Sequence, residues 1–202
     1  MGNNLAVCIP TFKRPIYLEK CIQSILNQRD ITFDIIVIDN DIKESVGKKH
    51  KNIIYLNEPK RGIPYVRNKA IEYCKNKYEF IAFIDDDEEA DSAWLYSLYS
   101  ALVKYNAEVV HGPVLPKFNN DKPFWSKYTY FNMYNPPKKI ETGSVLKTCA
   151  TNNLIMNIKI FNNINKPFNP LMAKTGGSDT LFFTSIHKKH KIVWGDEAIC
   201  YE

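Results

Sequence analysis

The sequence has no long apolar run, and it lacks the leader of an exported protein. No apolar stretch approaches the roughly 18 residues that a membrane-spanning helix needs. The N-terminal residues MGNNLAVCIPTFKRP have neither the charged start nor the apolar stretch of a signal peptide. Ala6 departs from the pattern for N-myristoylation. We therefore expect a cytoplasmic protein, and peripheral contact with the inner face of a membrane stays open.

Cysteine is scarce and widely spaced. The five cysteines form no CxxC pair, which argues against a zinc site and against a disulfide framework. Such cysteine usage fits a reducing compartment.

Strong charge of one sign is also missing. The net charge is +5, and the basic tract HKKHK lies at 187–191. A short tract of this kind is typical of a solvated helix end, and binding of nucleic acid or of an anionic membrane is the alternative.

The first half of the chain alternates between two hydrophobic periods. Short apolar runs predict strands, and apolar residues three and four apart predict helices. The predicted strands are 5–9, 33–39, 52–56, 79–85 and 107–113, and the predicted helices are 15–28, 61–77 and 91–106. These repeats predict an α/β fold with a mostly parallel, Rossmann-like sheet covered by helices. With 202 residues, 45% of them hydrophobic, we expect one core and one domain.

The pattern loosens after residue 113. The segment 116–144 is rich in Asn, Pro and aromatic residues; it is interpreted either as a binding loop or lid, or as a layer packed under its own aromatics. A Gly-Gly turn leads into a predicted helix at 176–189, and strand-like pieces occur at 152–158, 191–194 and 197–202. The chain stops just after an apolar stretch, so one interpretation is a core truncated at its C-terminal end.

Polar residues follow the ends of the predicted strands. They are Pro10, Thr11 and Arg14 after the first, Asp39, Asn40 and Asp41 after the second, residues 62–64, Arg67 and Asn68 after the third, and Asp85, Asp86 and Asp87 after the fourth. Parallel strands bring these groups to one edge, and open parallel sheets bind ligands there. Because that edge carries acids, we expect no nucleic-acid partner.

Five consecutive acids, at 85–89, directly follow the apolar run FIAFI. Two carboxylates about 4 Å apart cost on the order of 4 kcal/mol at an effective dielectric near 20. A hard divalent cation removes this cost, and Mg²⁺ or Mn²⁺ typically takes one or two carboxylates with water and phosphates. Asp85 and Asp87 have the spacing to face one ligand, and an ion there would neutralise a diphosphate leaving group.

Helix capping is the alternative interpretation of these acids. Acidic residues are common before a helix, and Asp91 and Ser92 already fit that purpose. A calcium loop is a weaker alternative, because the glycine-containing twelve-residue EF-hand pattern is absent.

The motifs CIPTFKRPIYLEKCIQSILNQ, VIDND, NEPKRGIPYVRNKAIE, FIDDDEEADSAWL and TGGSDTLFF occur in this order. In content and spacing the chain resembles the family 2 inverting glycosyltransferases of the GT-A fold over nearly its whole length. The resemblance implies a nucleotide-sugar-binding half at 1–113 and a smaller layer at 114–202 that binds the acceptor and carries the catalytic base. It implies an inverting, metal-dependent, hexosyltransferase-like enzyme that uses Mn²⁺ or Mg²⁺ and a nucleotide-diphosphate sugar, with a UDP-sugar expected.

The resemblance also implies roles for individual residues. Thr11 and Asp39 match positions that contact the nucleotide base, and Arg67 matches a basic residue beside the nucleotide. Asp85 and Asp87 match the DxD motif, with Asp85 toward the ribose and Asp87 toward the metal. We add Arg14 and Asp86, which lie at the same edge, to the nucleotide-sugar site. Asp179 matches the catalytic base, and Ser178 replaces the Glu that the family more often has, a departure that concerns the fine positioning of the acceptor.

The residues themselves allow both functional and structural interpretations. An inverting transfer needs one carboxylate to take the acceptor proton, and Gly177 would let a sugar approach Asp179 closely; helix capping is the alternative for Asp179. The alternatives are a turn for Asp39, a solvated charge for Arg67 and a cap for Thr11. The aromatic residues of the 116–144 segment could stack on a sugar or pack in a core; they are Trp125, Tyr128, Tyr130, Phe131 and Tyr134. His187 and His190 could bind a metal or lie at an exposed helix end.

We therefore predict a glycosyltransferase that acts on a glycan or lipid-linked acceptor in cell-surface polysaccharide or lipopolysaccharide synthesis. The acceptor site is expected at Gly177, Ser178 and Trp125. The alternative is a non-catalytic module that binds a nucleotide sugar or a glycan; the cellular role rests on the resemblance alone.

Overall fold

The computed structural model describes residues 4–43, 50–118 and 140–202. Trp125, Tyr128, Tyr130, Phe131 and Tyr134 lie outside the described residues, so both interpretations of these aromatics stay open.

The chain alternates strands and helices as the hydrophobic periods predict. In chain order the elements are β1 (Leu5–Thr11), α1 (Pro15–Leu26), β2 (Asp34–Asp39), β3 (Ile53–Asn57), α2 (Ile63–Cys74), β4 (Phe80–Phe83), β5 (Glu89–Ala90), α3 (Trp94–Lys104), β6 (Val109–His111), β7 (Val114–Leu115), β8 (Val145–Leu146), β9 (Leu154–Asn157), α4 (Ser178–Ile186), β10 (Ile192–Trp194) and β11 (Cys200–Tyr201). Two short 3₁₀ helices, Ile158–Phe161 and Pro170–Met172, precede α4. The sequence did not predict β5, β7 and β8, because a two-residue strand carries no periodic signal.

The larger sheet has the strand order β3-β2-β1-β4-β9-β6-β10-β8. β1 runs parallel to β2 and β4, β2 runs parallel to β3, and β6 runs parallel to β10. β9 is antiparallel to both β4 and β6, and β8 is antiparallel to β10. The order reverses direction between β1 and β4, and such a switch point opens a crevice at the carboxyl ends of the strands.

The antiparallel direction of β9 has a consequence for the site. Leu154, at the start of β9, pairs with Phe83 at the end of β4 and with His111 at the end of β6. The residues just before β9, at 151–153, therefore lie at the edge of the sheet where the parallel strands end.

A second, smaller sheet has the order β5-β11-β7. β11 is antiparallel to β5 and parallel to β7. This sheet takes β5, which begins with the last acid of the acidic run, from the first half of the chain, and β7 and β11 from the second.

Both faces of the larger sheet are covered, which explains the unbroken apolar runs of its strands. Along β1, Leu5, Val7 and Ile9 pack on the face covered by α1 and α3, and Ala6 and Cys8 pack on the face covered by α2 and α4. The predicted buried face of α3 is confirmed, since its apolar side chains are fully or almost fully buried: Trp94, Leu95, Leu98 and Leu102.

Helix α3 begins later than the sequence predicts, and its capping differs. The residue before it is Ala93, which makes no side-chain cap. Asp91 Oδ1 accepts a hydrogen bond from the Ala93 N–H at 3.0 Å, so Asp91 orders the approach to the helix rather than its first turn.

Asn153 is a buried polar junction with a positive φ of 46°. Its Oδ1 accepts a hydrogen bond from Trp94 Nε1 at 2.6 Å, and its Nδ2 donates to the carbonyls of Pro113 at 2.6 Å and Ala198 at 2.8 Å. One side chain therefore joins α3 to the connections that follow β6 and β10.

The cysteines and the basic tract have these places in the fold. All five cysteines are buried and none forms a disulfide. The basic tract 187–191 follows α4, where His190 contacts Glu108 and Lys191 Nζ donates to the Tyr105 carbonyl. No helix in residues 4–43, 50–118 and 140–202 is long and apolar enough to cross a bilayer.

Candidate functional site

A cavity of about 330 Å³ opens where β1 and β4 end. It lies at the switch point of the sheet, and residues from four separate chain segments line it: Pro10, Thr11, Phe12, Arg14, Asn40, Arg61, Gly62, Ile63, Val66, Arg67, Asp85, Asp86 and Asp87. Most of the polar residues that we expected at this edge are thus brought together. Asp39, Asp41 and Asn68 do not line the cavity. Asp39 is buried and its Oδ1 accepts from the Asp41 N–H, while Asn68 binds the backbone of Phe168.

The acidic run forms a turn after β4. The Glu88 N–H donates to the Asp85 carbonyl at 3.2 Å, which closes the turn. Asp85, Asp86 and Asp87 line the cavity, whereas Glu88 is only 1% exposed and is not part of the lining.

Side chains join the acidic turn to the end of β1. Thr11 Oγ1 donates to Asp86 Oδ2 at 2.7 Å, and Arg14 Nη1 forms ion pairs with both Asp86 and Asp87. Burial raises the pKa of Asp86, and the hydrogen bond from Thr11 opposes that effect. The Thr11 hydroxyl therefore stabilises the Asp86 carboxylate in this structure.

Arg67 joins the acidic turn to α4. Its guanidinium is buried, with Nη2 3.8 Å from Asp85 Oδ1 and Nη1 3.5 Å from Asp179 Oδ2. Burial raises the pKa of Asp85 to about 6, while Arg67 lowers it. Among the described residues, Arg67 Nε is buried and has no hydrogen-bond partner.

Asp179 lies in the first turn of α4, as the Gly-Gly-Ser-Asp sequence predicts. Gly176 and Gly177 both have positive φ, 74° and 82°, which explains why glycine is suited to this turn. Asp179 Oδ2 also accepts from Thr151, at 3.2 Å from the hydroxyl and 3.4 Å from the backbone N–H. The carboxylate thus contacts two other elements and does more than complement the helix.

The residues predicted for the acceptor are only partly described. Gly177 is the N-cap of α4, and a side chain there would lie 3.3 Å from Met172 Cε. Ser178 is 2% exposed, so it does not present its side chain openly to the solvent. Trp125 lies outside the described residues.

An aromatic–guanidinium pair forms another wall of the cavity, and the sequence did not single it out. The Arg61 guanidinium carbon lies 3.9 Å from the centre of the Phe12 ring. Asn40 holds the loop before α2, because its Nδ2 donates to the carbonyls of Glu58 and Lys60 and its Oδ1 accepts from the Gly62 N–H. The sequence could have indicated this pair, because Phe12 and Arg61 each adjoin a residue already expected at this edge.

Glu88 is a second feature that the sequence did not separate from its neighbours. Its Oε2 accepts from the Asp85 N–H at 3.1 Å, and its Oε1 accepts from Asn152 Nδ2 at 2.7 Å. Burial, followed by the Asp85 carboxylate, raises the pKa of Glu88 to about 8.

The chemistry of the acidic turn fits a hard divalent cation. Asp85 and Asp87 present carboxylate oxygens to one cavity, and Mg²⁺ or Mn²⁺ needs only one or two such ligands when phosphates and water complete its shell. Within the described parts of the chain, no three His, Cys, Asp or Glu side chains are grouped to hold an ion by themselves. His187 and His190 are instead engaged by the Thr184 carbonyl and by Glu108.

Comparison with known proteins identifies the family to which the chain belongs. The sequence model of the family described as "Glycosyl transferase family 2" matches residues 6–164. The succinoglycan biosynthesis protein ExoM of Rhizobium meliloti (strain 1021) is 26% identical over 194 residues, which cover 91% of this chain and 60% of ExoM. The GalNAc(5)-diNAcBac-PP-undecaprenol beta-1,3-glucosyltransferase of Campylobacter jejuni (serotype O:2, strain ATCC 700819 / NCTC 11168) is 30% identical over 125 residues, 57% of this chain and 40% of that protein.

Among solved structures, S. aureus TarS 1-349 in complex with UDP-GlcNAc superposes with a TM-score of 0.72 and 18% identity, over 98% of this chain and 58% of that one. This similarity confirms the predicted GT-A fold. The chain spans less than two thirds of the length of these relatives.

Proposed function

This chain belongs to glycosyl transferase family 2, and we propose that it transfers a sugar from a nucleotide-diphosphate sugar to a glycan or lipid-linked acceptor, with inversion. A UDP-sugar is the donor that we favour, because a structural neighbour is described in complex with UDP-GlcNAc. The names of ExoM and of the C. jejuni glucosyltransferase support a place in cell-surface polysaccharide synthesis. We place this activity in the cytoplasm, and peripheral contact with the inner membrane face stays open.

The observation that carries the proposal is the cavity at the switch point. Three aspartates and three arginines line it: Asp85, Asp86, Asp87, Arg14, Arg61 and Arg67. Arginines suit the phosphate oxygens of a donor, and switch points of parallel sheets are where nucleotides bind. In this proposal the half 1–113 holds the donor, and Thr11, Arg14, Asp39, Arg67, Asp85 and Asp86 form or support that site.

Asp87, with Asp85 beside it, would hold Mn²⁺ or Mg²⁺. When bound, the ion neutralises charge on the diphosphate leaving group. Arg14 forms an ion pair with Asp87 from the side of β1. In this proposal its positive charge therefore also lies close to the diphosphate.

Asp179 is proposed as the base. Thr151 and Arg67 contact its Oδ2, which orients the carboxylate, and we assign its Oδ1 to accept the proton of the acceptor hydroxyl. The deprotonated oxygen attacks the anomeric carbon from the face opposite the diphosphate, so the configuration inverts without a covalent intermediate. The half 114–202 then binds the acceptor, with Gly177 and Ser178 beside the base and Trp125 as a further candidate contact.

Asp179→Asn tests the proposal directly. We expect this variant to bind UDP with the same affinity as the wild type and to lose transfer from a UDP-sugar. Thermal shifts with UDP, with and without Mn²⁺, measure binding, and release of UDP in the presence of a glycan acceptor measures transfer. Asp30→Asn, at an exposed aspartate in a turn, is the matched control. Binding without any turnover in the wild type, assayed as the intact protein, would instead support the non-catalytic binding module.

A further inference from the structure

The acidic turn and the proposed base are held by two adjacent residues that precede β9. Thr151 donates to Asp179 Oδ2, and the neighbouring Asn152 donates from Nδ2 to Glu88 Oε1 at 2.7 Å. The side chains of this pair thus reach in two directions, one toward α4 and one toward the end of β4.

Glu88 continues the connection to Asp85. Its second oxygen accepts from the Asp85 N–H at 3.1 Å, and its own N–H donates to the Asp85 carbonyl at 3.2 Å. A residue within a run of five acids would ordinarily be solvated, yet Glu88 is 1% exposed. Its carboxyl group is therefore used inside the protein, where it closes the turn that presents Asp85, Asp86 and Asp87 to the cavity.

We propose that Glu88 and Asn152 are positioning residues, and that the hydrogen bond between them fixes the acidic turn relative to the segment that orients Asp179. This role rests on the proposed function, since it sets the spacing between the donor carboxylates and the base. Neither residue touches the substrate in this proposal. A small error in that spacing has a large effect on rate, because transfer requires the hydroxyl, the sugar carbon and the leaving group to be aligned.

The direction of the hydrogen bond allows a stringent test. At about pH 9, above the Glu88 pKa of about 8, Asn152→Asp places two ionised carboxylates against each other, so the contact is lost. Adding Glu88→Gln restores a hydrogen bond between the two positions, with donor and acceptor exchanged. The amide introduced at position 88 would donate to the new carboxylate and still accept from the Asp85 N–H. The combined charge of the two side chains also returns to that of the wild type. Glu88→Gln alone needs only a rotation of the Asn152 amide.

Three measurements on the full chain, all at about pH 9 where Glu88 is ionised, separate positioning from general stability. Hydrogen exchange of the amides at 85–88, without ligand, reports the order of the turn. Isothermal titration of UDP with Mn²⁺ reports the donor site, and kcat for transfer, corrected for the folded fraction by urea unfolding, reports alignment. Glu89→Gln is the control, because Glu89 is the next acid along and pairs instead with Lys117.

We expect Asn152→Asp to speed exchange at 85–88 and to lower kcat by about tenfold or more, the scale of one lost hydrogen bond to a charged group. The double variant and Glu88→Gln should return to within about threefold of the wild type. Equal kcat in Asn152→Asp and in the double variant would overturn the inference, as would unchanged exchange in Asn152→Asp.

If the wild type neither binds UDP nor transfers a sugar, the proposed function fails, and the exchange pattern still decides whether the hydrogen bond orders the turn. If Asn152→Asp does not fold, Glu88→Leu, which removes both acceptors without adding a charge, takes its place and is compared with Glu88→Gln.

Discussion

Arg67 and Asp179 are 112 residues apart in the sequence, and their side chains lie 3.5 Å apart between Nη1 and Oδ2. The same guanidinium is 3.8 Å from Asp85. One buried cation therefore lies between an acid at the end of β4 and an acid at the start of α4. This arrangement joins the two halves of the proposed active site by charge.

Removing that cation should lower activity more than stability alone explains. In Arg67→Met the two carboxylates lose their shared counter-charge, and we expect kcat to fall by about tenfold or more. The kcat of Arg67→Lys should lie between those of the wild type and Arg67→Met. The lysine ammonium keeps the charge, but it lacks the planar group with which arginine reaches both carboxylates. Transfer assays at saturating donor, with the folded fraction measured by urea unfolding, test this order. Lys69→Met removes a charge from the same helix as the control, and wild-type kcat in Arg67→Met would contradict the assignment.

Asp87→Ala should make diphosphate binding independent of metal. With the wild type, we expect EDTA to weaken UDP binding by roughly tenfold or more, about 1.4 kcal/mol. With Asp87→Ala, the affinities in Mn²⁺ and in EDTA should be equal. Uridine, which has no diphosphate, serves as the control ligand, and titration calorimetry measures all four cases. A persistent effect of Mn²⁺ on UDP binding in the variant would place the ion elsewhere.

Asn153→Ala should cost about 3–5 kcal/mol of unfolding free energy, because buried unpaired groups are expensive. The substitution leaves Trp94 Nε1–H and the carbonyls of Pro113 and Ala198 without their partner. Asn163→Ala is the matched control, because Asn163 has a similar positive φ of 64° and is exposed. Urea unfolding of both variants separates the hydrogen bonds from the backbone cost, and equal losses would show that the junction contributes little.

His111 should make the protein less stable in mild acid. Burial lowers the pKa of His111 to about 4, while the backbone carbonyl of Asn153 and the Asp179 carboxylate act in the opposite direction. The folded pKa lies below the unfolded value near 6.5, so the stabilisation is present above about pH 6.5 and is lost as the pH falls toward about 4. Between about pH 7 and pH 5 we expect a loss of about 1–2 kcal/mol that is missing in His111→Asn. Urea unfolding at the two pH values measures it, and an equal loss in both proteins would exclude this imidazole as the cause.

Much of the site could be predicted because parallel strands bring their ends together whatever the details of packing. The positions of Thr11, Arg14 and Asp85 followed from strand periods alone. The periods could not show that Asp39 and Asn68 turn to the backbone, or that Glu88 turns inward while Asp87 lines the cavity. A run of five acids has no hydrophobic period, so nothing local distinguishes its members.

Short-range hydrophobic periods decide which side chains can be buried, so they specify the alternation of strands and helices and with it the edge of the sheet where the polar residues gather. These periods do not specify that β9 enters antiparallel between β4 and β6, because strand order depends on long-range packing. That direction carries Thr151 and Asn152 to the acidic turn and makes their contacts with Asp179 and Glu88 possible. The contact between Asn152 and Glu88 spans 64 residues of sequence, and no local pattern specifies it, because it depends on the order and direction of the strands.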